Sequence, residues 1–188
     1  MLASLQLLCG GEEEMIAEKT LKEQALSREW RLGSGAFLPQ RRAIIGLSMV
    51  SAISMGLITL YQVGIIKHLP EPPLPGLDAD RVDASAEAYS RFSTPDGVLG
   101  LGSYVATMGL AAMGGQDRAK ERPWIRLALA AKVAFDTSQA IRLFFDQKNK
   151  FHAFCSWCLL AASATLATIP LVIPETLAAL RQLTGRGS

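Results

Sequence analysis

Long uncharged segments dominate the chain from residue 43 onward. The first of them, residues 43–66, contains no charged side chain, whereas Arg41 and Arg42 precede it and Lys67 and His68 follow it. The hydrocarbon core of a bilayer is about 30 Å thick and is crossed by roughly 20 helical residues. The first segment is therefore long enough to form a membrane-spanning helix.

Two further uncharged segments of similar length follow. Residues 97–116 are rich in glycine and alanine, which allow helices to pack closely where no water drives association. Residues 153–174 are also uncharged, and Pro170 and Pro174 lie at their far end. Proline is tolerated in a membrane helix when neighbouring helices satisfy the freed backbone groups. Both segments are predicted to be helices.

A fourth apolar segment, residues 124–145, contains Arg126, Lys132, Asp136 and Arg142. A charge inside a membrane is unfavourable unless it is paired or near a helix end. Lys132 and Asp136 share a helix face and can neutralise each other, and the two arginines are expected to reach the headgroups. An amphipathic helix on the membrane surface and a transporter with a Lys–Asp proton relay remain alternatives. We favour a buried span.

The pattern predicts an all-α protein, an integral membrane four-helix bundle over residues 41–182. Its helices are expected at about 43–66, 97–116, 124–145 and 153–174, after a polar N-terminal extension over residues 1–40. In the polar segments, twelve Lys and Arg residues fall on the side of the termini and six on the other. The positive-inside rule then places both termini in the cytoplasm and the 67–96 loop outside. The Pro-rich part of that loop is expected to cap the outer face.

Composition agrees with membrane insertion and excludes several other classes. Hydrophobic residues make up 49% of the 188 residues, and charged residues only 19%. The formal net charge of +2 is too small to indicate nucleic-acid binding. Three cysteines are too few for a secreted scaffold held together by disulfides. Membrane lipid, and no nucleic acid, is the expected environment.

Cys155 and Cys158 form a C-x-x-C motif at the start of the last predicted helix. This spacing places both sulfurs on one helix face, one turn apart and within disulfide reach. Unpaired N–H groups at a helix N-terminus also stabilise a thiolate. A redox-active dithiol is the favoured interpretation. Chance burial of two cysteines, or a zinc site completed by His68 and His152, remains open, although structural zinc sites usually combine two ligand pairs. We predict no metal.

The string around this motif, FCSWCLLAA, resembles the vitamin K epoxide reductase family of membrane thiol oxidoreductases. Val82, Ser85, Phe92 and Pro95 match an ordered loop pattern of the same family. The resemblance implies a four-helix bundle around a quinone, of the ubiquinone or menaquinone (vitamin K) type, in a bacterial inner membrane. Cys155 and Cys158 would then be catalytic, and Ser85 would hydrogen-bond the quinone or the dithiol. Capping of a short loop helix is the alternative for Ser85.

One departure from the family pattern affects the expected electron path. Ala79 stands where the family has a loop cysteine, and the 67–96 loop contains no other cysteine. The family's loop cysteines pass electrons from a thioredoxin-like extracytoplasmic partner to the membrane dithiol. Here the incoming thiol is expected to meet Cys155 directly, nearer the surface, while Cys158 lies deeper and faces the quinone. A membrane scaffold or assembly protein with a structural or metal-binding cysteine pair is the alternative function.

Overall fold

The computed structural model describes residues 2–115, 118 and 122–184, with side chains from residue 15 onward. These residues form helices and loops without an extended strand, apart from one isolated β-bridge between Leu77 and Phe154. The prediction of an all-α fold is confirmed. The helices named here are α1 (Leu2–Leu32), α2 (Leu38–Gln62), α3 (Ala79–Asp83), α4 (Asp96–Ala112), α5 (Pro123–Asp146) and α6 (Ser156–Leu183).

Four of these helices pack in a ring. Helix α2 lies between α4 and α6, and α5 closes the ring against α6 and, with a smaller contact, against α4. Each of the four overlaps one predicted segment, but the bounds differ. Helix α2 starts five residues earlier than residue 43 because Pro39 suits a first helical turn. Helix α6 starts at Ser156 and continues through both prolines to Leu183.

Glycine allows α4 to approach α2 closely at the end of the ring near the dithiol. A Cβ atom on Gly97 would lie 2.8 Å from Thr59 Oγ1, and one on Gly100 would lie 2.7 Å from Met55 Sδ. A Cβ atom on Gly97 would also lie 3.0 Å from the Thr59 main-chain nitrogen, so a side chain there would displace α2, whereas one at Gly100 would require the flexible Met55 side chain to move. The small residues of the predicted helix at 97–116 therefore allow close helix packing, as the sequence suggested.

Two helices are long and apolar enough to cross a membrane. These candidate spans, among the residues that the structure describes, are α2 and α6. Helix α4 has only 17 residues, and α5 carries five charged side chains, Arg126, Lys132, Asp136, Arg142 and Asp146. Two such helices and the all-helical architecture are typical of a membrane protein, whereas the four-span arrangement stays a prediction.

A buried cluster of ionic groups joins the helices at the end of the ring opposite the dithiol. Arg118 Nε donates to Glu175 Oε1 at 2.7 Å and Arg118 Nη2 donates to Oε2 at 2.7 Å, and both side chains are nearly inaccessible. Arg126 is also buried and donates to the Glu175 carbonyl at 3.2 Å. The expectation that Arg126 reaches the headgroups is therefore wrong, because a neighbouring helix supplies its partners.

Arg41 satisfies the end of α4. Its guanidinium donates to the carbonyls of Ala111 at 2.9 Å, Gly114 at 2.8 Å and Gly115 at 3.0 Å. The Trp30 ring of α1 stacks on it, with the ring centroid 4.5 Å from Cζ. A helix leaves its last four carbonyls without intrahelical donors. The buried arginine supplies such a donor to Ala111 and also binds the Gly114 and Gly115 carbonyls of the segment that follows α4.

Candidate functional site

The C-x-x-C motif forms the N-terminus of α6. Cys155 is the N-cap residue, and its Sγ accepts a hydrogen bond from the Cys158 main-chain N–H at 3.2 Å. Both residues are free cysteines. The predicted placement of the pair at a helix N-terminus therefore agrees with the structure, and its redox role stays a prediction.

The chain enters α6 through a tight turn that holds the dithiol in place. A π-helical turn, Gln147–Phe151, leads into His152, which has a left-handed backbone with φ 51°. The Gln147 side chain folds back so that its Oε1 accepts from the Cys155 N–H at 3.0 Å. Two main-chain hydrogen bonds connect Phe154 to the loop after α2, from Asp78 N–H at 2.9 Å and to the Gly76 carbonyl at 2.8 Å.

The Pro-rich loop lies over the start of α6. The Trp157 indole N–H donates to the Pro70 carbonyl at 2.8 Å, and the Ser156 N–H donates to Glu71 Oε1 at 2.8 Å. Cys155 is completely inaccessible beneath this loop, whereas Cys158 is partly exposed. The expectation that Cys155 is the more accessible sulfur is wrong. The sequence suggested a capping role for this Pro-rich loop. It did not indicate that Glu71 would contact the start of α6, 85 residues later.

Asp83 faces the dithiol from α3. Cys158 Sγ donates to Asp83 Oδ1 at 3.7 Å, and the carboxylate and both sulfurs lie within 4.8 Å of one another. The Asp83 main chain is held by Gln62, whose Nε2 donates to its carbonyl at 3.2 Å. Burial raises the pKa of the Asp83 carboxyl to about 7. Sequence reasoning missed this residue, since it occupies an unassigned position between Val82 and Ser85 in the loop pattern.

A cavity of about 340 Å³ opens beside the dithiol, between the helices of the ring. Cys158, Asp83 and Ser85 contribute to its wall, and Tyr104 lies on the side of α4. Cys155 does not reach the cavity. Ser85 precedes a 3-10 turn, Ala86–Tyr89, but its side chain makes no capping hydrogen bond. The capping alternative for Ser85 is therefore not supported, and its hydroxyl remains available to a ligand.

The cavity has the features of a site for a flat, largely apolar molecule with polar ends. Ligand sites of this kind usually enclose about 300–1,000 Å³ and combine apolar walls with a few polar groups. The apolar part of the wall comes from side chains such as Ile58, Leu99, Phe135, Leu143 and Leu159. Gln139 Oε1, another wall group, is buried without a partner. The residues present therefore fit a quinone headgroup.

The Lys132–Asp136 pair lies at the same wall and is fully satisfied. Asp136 accepts from Lys132 Nζ at 2.6 Å, from Ser103 Oγ at 2.8 Å and from Thr107 Oγ1 at 2.8 Å. The pair therefore neutralises itself, as its spacing predicted. A carboxylate with this many donors is typical of a structural ion pair rather than of an open proton relay.

The zinc arrangement considered from the sequence is not assembled. Among the described residues the dithiol has one further potential metal ligand, Asp83, which makes three. Structural zinc sites usually have four. His68 instead pairs with Asp80, with 2.7 Å between Nδ1 and Oδ2. The chemistry available at this site is that of a dithiol with a neighbouring carboxyl group.

An all-helical fold with two helices that are long and apolar enough to cross a bilayer is typical of a membrane protein. The sequence model of the Vitamin K epoxide reductase family matches residues 42–173. The chain belongs to this family, whose members are quinone-linked redox enzymes. Comparison with curated proteins and with solved structures gives no match.

Proposed function

We propose that this protein is a quinone-linked thiol–disulfide oxidoreductase in which Cys155 and Cys158 are the redox-active pair. The observation that carries the proposal is that Cys158 lines the cavity while it remains hydrogen-bonded to Cys155. Formation of the S–S bond removes two electrons and two protons from the thiols. A bound quinone supplies the oxidant, since it takes up both and becomes the hydroquinone.

The two sulfurs have different environments and therefore different roles. Cys158 faces the cavity and delivers the electrons. Cys155 is the sulfur that exchanges with an incoming thiol, from a thioredoxin-like partner outside the membrane. Because Cys155 is buried, this exchange requires the loop over Pro70 and Glu71 to move. The Ser85 hydroxyl, which lines the cavity, would hold a quinone carbonyl by donating a hydrogen bond to it.

All four helices of the ring cross the membrane in this proposal, with both termini in the cytoplasm of a bacterium and the dithiol at the outer face of the inner membrane. Large apolar side chains point outward from each helix, among them Ile53 of α2, Val105 of α4, Ile141 of α5 and Leu166 of α6. Such a surface is unfavourable in water and suited to lipid. The bias of basic residues toward the side of the termini supports the orientation.

The test is a pair of variants in proteoliposomes that contain ubiquinone or menaquinone, with dithiothreitol as reductant. Cys155→Ser,Cys158→Ser is expected to insert normally and to reduce quinone no faster than protein-free vesicles. Cys9→Ser is the matched control, because it removes a thiol and leaves the motif unchanged; it is expected to retain the wild-type rate. Equal quinone reduction by the double variant and the wild type would exclude the proposal.

A second candidate function is a membrane scaffold or assembly factor without electron transfer. It is favoured by Ala79 at the position of the family's loop cysteine and by the complete burial of Cys155. Thiol alkylation in native membranes separates the two functions. A pair that shifts between reduced and oxidised forms when quinone is added supports the oxidoreductase. A pair that stays reduced under both conditions supports the scaffold.

A further inference from the structure

The Asp83 carboxylate is buried beside the sulfurs without a full set of partners. Its side chain is 2% exposed. Oδ1 accepts the weak hydrogen bond from Cys158 Sγ, and Oδ2 has no partner. A buried carboxylate oxygen without a hydrogen-bond partner is unfavourable. The negative charges of Asp96 and Glu71 act on this carboxylate and oppose its ionised form further.

We propose that Asp83 is the proton acceptor of the dithiol and carries its protons to the cavity. This inference rests on the proposed function and adds a catalytic residue to it. The carboxylate touches the reacting sulfur and lines the cavity, so the donor and the destination of the proton lie on its two sides. An apolar residue at this position would fill the same space and leave the thiol with no base in contact.

The step balances in protons and electrons. The S–H bond of Cys158 breaks and its proton moves to an Asp83 oxygen, which leaves the thiolate as the electron donor. The Cys155 proton follows the same route when the S–S bond forms. Two electrons and two protons leave the dithiol, the quinone takes up both, and Asp83 returns to the ionised state. The carboxyl group is thus used twice in each turnover.

The surroundings of Asp83 place its titration near neutral pH. The titratable groups that face it are the two thiols of α6, Asp96 of α4 and Glu71 of the loop. Burial raises the Asp83 pKa, the hydrogen bond from Cys155 lowers it, and the charge of Asp96 raises it again, to about 7. An acid–base group works best when its pKa lies near the operating pH.

Asp83 also opposes ionisation of Cys155, the thiol that loses its proton second. The hydrogen bond from Cys158 lowers the pKa of Cys155, but burial and the Asp83 charge outweigh it and raise the pKa overall. Replacing Asp83 by a neutral side chain should therefore make Cys155 easier to ionise. The two effects have opposite signs: the thiol becomes more reactive toward an alkylating reagent, and quinone reduction becomes slower.

The experiment compares Asp83→Asn with wild type, using Asp78→Asn as the matched control. Asp78 is an exposed carboxylate of the same loop outside the cavity wall, and it caps α3 by accepting from the Arg81 N–H at 3.0 Å, which an asparagine also does. Dithiol-dependent quinone reduction is measured in proteoliposomes from pH 5.5 to 9, and thiol alkylation by iodoacetamide is measured on the same samples by mass spectrometry. Loss of a positioned acid–base group usually lowers a rate by about 10²–10⁴-fold.

The expected result for Asp83→Asn is a loss of about 100-fold or more in quinone reduction, with faster alkylation of Cys155 at pH 7. The wild-type rate should rise as the pH passes through about 7, because the carboxylate is the active form, and Asp78→Asn should keep this profile. A merely structural role would change the alkylation rate without moving its pH dependence, whereas loss of the Asp83 charge lowers the Cys155 pKa and moves the rise in alkylation to lower pH. If Asp83→Asn does not insert, Asp83→Ala and the wild-type profile provide the test.

Turnover of Asp83→Asn within threefold of the wild type, or a flat wild-type profile across pH 7, would overturn the role of Asp83 alone. Absence of dithiol-dependent quinone reduction in the wild type would overturn the proposed function together with this role. The two failures are therefore distinguishable in one set of samples.

Discussion

The Glu71 carboxylate accepts a hydrogen bond from the Ser156 main-chain N–H at 2.8 Å. Its second oxygen accepts from the Ala79 N–H at 2.7 Å. One side chain therefore binds the first turn of α6 and the first residue of α3, the two helices that carry the sulfurs and Asp83. A negative charge at a helix N-terminus is also favourable. Glu71 is one of the contacts that hold the Pro-rich loop over the dithiol, and it is the side chain that joins α3 to α6 through this loop.

We predict that Glu71→Ala makes Cys155 accessible. Two charge-assisted hydrogen bonds are lost, each of about 1.5–3 kcal/mol, so the loop should open more often. Alkylation of Cys155 in the reduced protein is expected to accelerate at least tenfold. Glu87→Ala is the control, since it removes an exposed glutamate of the same loop, and should leave the rate unchanged. Equal rates for both variants would show that another contact keeps the loop closed.

Ser85→Ala is expected to weaken quinone binding with little effect on the maximal rate. One neutral hydrogen bond is worth about 0.5–1.5 kcal/mol, which corresponds to a 2- to 12-fold rise in KM for quinone. Ser138 serves as the control, because it is exposed and its hydroxyl binds the Phe135 carbonyl of its own helix. A fall in kcat at unchanged KM would instead place Ser85 against the dithiol.

The free energy of unfolding should depend on pH through the titration of Asp83. Its folded-state pKa of about 7 lies above the ordinary value of 3.8, so the folded protein binds more protons between those limits. The free energy of unfolding is then expected to fall with rising pH, by up to about 1.4 kcal/mol per unit, and to level off above pH 7. Asp83→Asn should remove this slope and be the more stable protein at pH 8. Thermal unfolding of both proteins in detergent at pH 5 and pH 8 tests both statements. The same change in stability between the two pH values for the wild type and for Asp83→Asn would contradict them.

The buried ion pair of Arg118 and Glu175 should show strong coupling. Removing one partner of such a pair costs about 3–5 kcal/mol, because the other charge stays buried. Glu175→Leu and Arg118→Leu are each expected to be destabilising. The double variant is expected to lose less stability than the sum of the losses in the two single variants. Asp146→Asn is the control, since its pair with Arg142 is exposed and is worth about 1 kcal/mol at most. Additive effects in a double-mutant cycle of unfolding would disprove the coupling.

The sequence was sufficient for the helices and the dithiol because both depend on local patterns. Uncharged runs of about twenty residues mark α2 and α6, and two cysteines three apart at the start of such a run determine their own geometry. The Lys132–Asp136 pair likewise follows from a spacing of four on one helix face. None of these required knowledge of a distant segment.

The surroundings of the dithiol depend on contacts that no spacing reveals. Cys155 is buried because a loop 85 residues earlier in the chain crosses it, and Asp83 reaches Cys158 across 75 residues. The partners of Arg126 are equally distant, which is why a position near a helix end indicated exposure. Tertiary packing decides these features, and only Glu71, Asp83 and Glu175 in their folded positions account for them.

Arg41 shows how a helix that is too short by residue count can still be complete. Seventeen residues of α4 extend about 26 Å at 1.5 Å per residue, less than the thickness of a hydrocarbon layer. The guanidinium of a neighbouring helix donates to the Ala111 carbonyl of α4 and to the Gly114 carbonyl of the segment that follows, so these acceptors are satisfied without a further helical turn. In the membrane arrangement proposed above, the length that α4 needs would therefore depend on two segments, α4 itself and the arginine of α2.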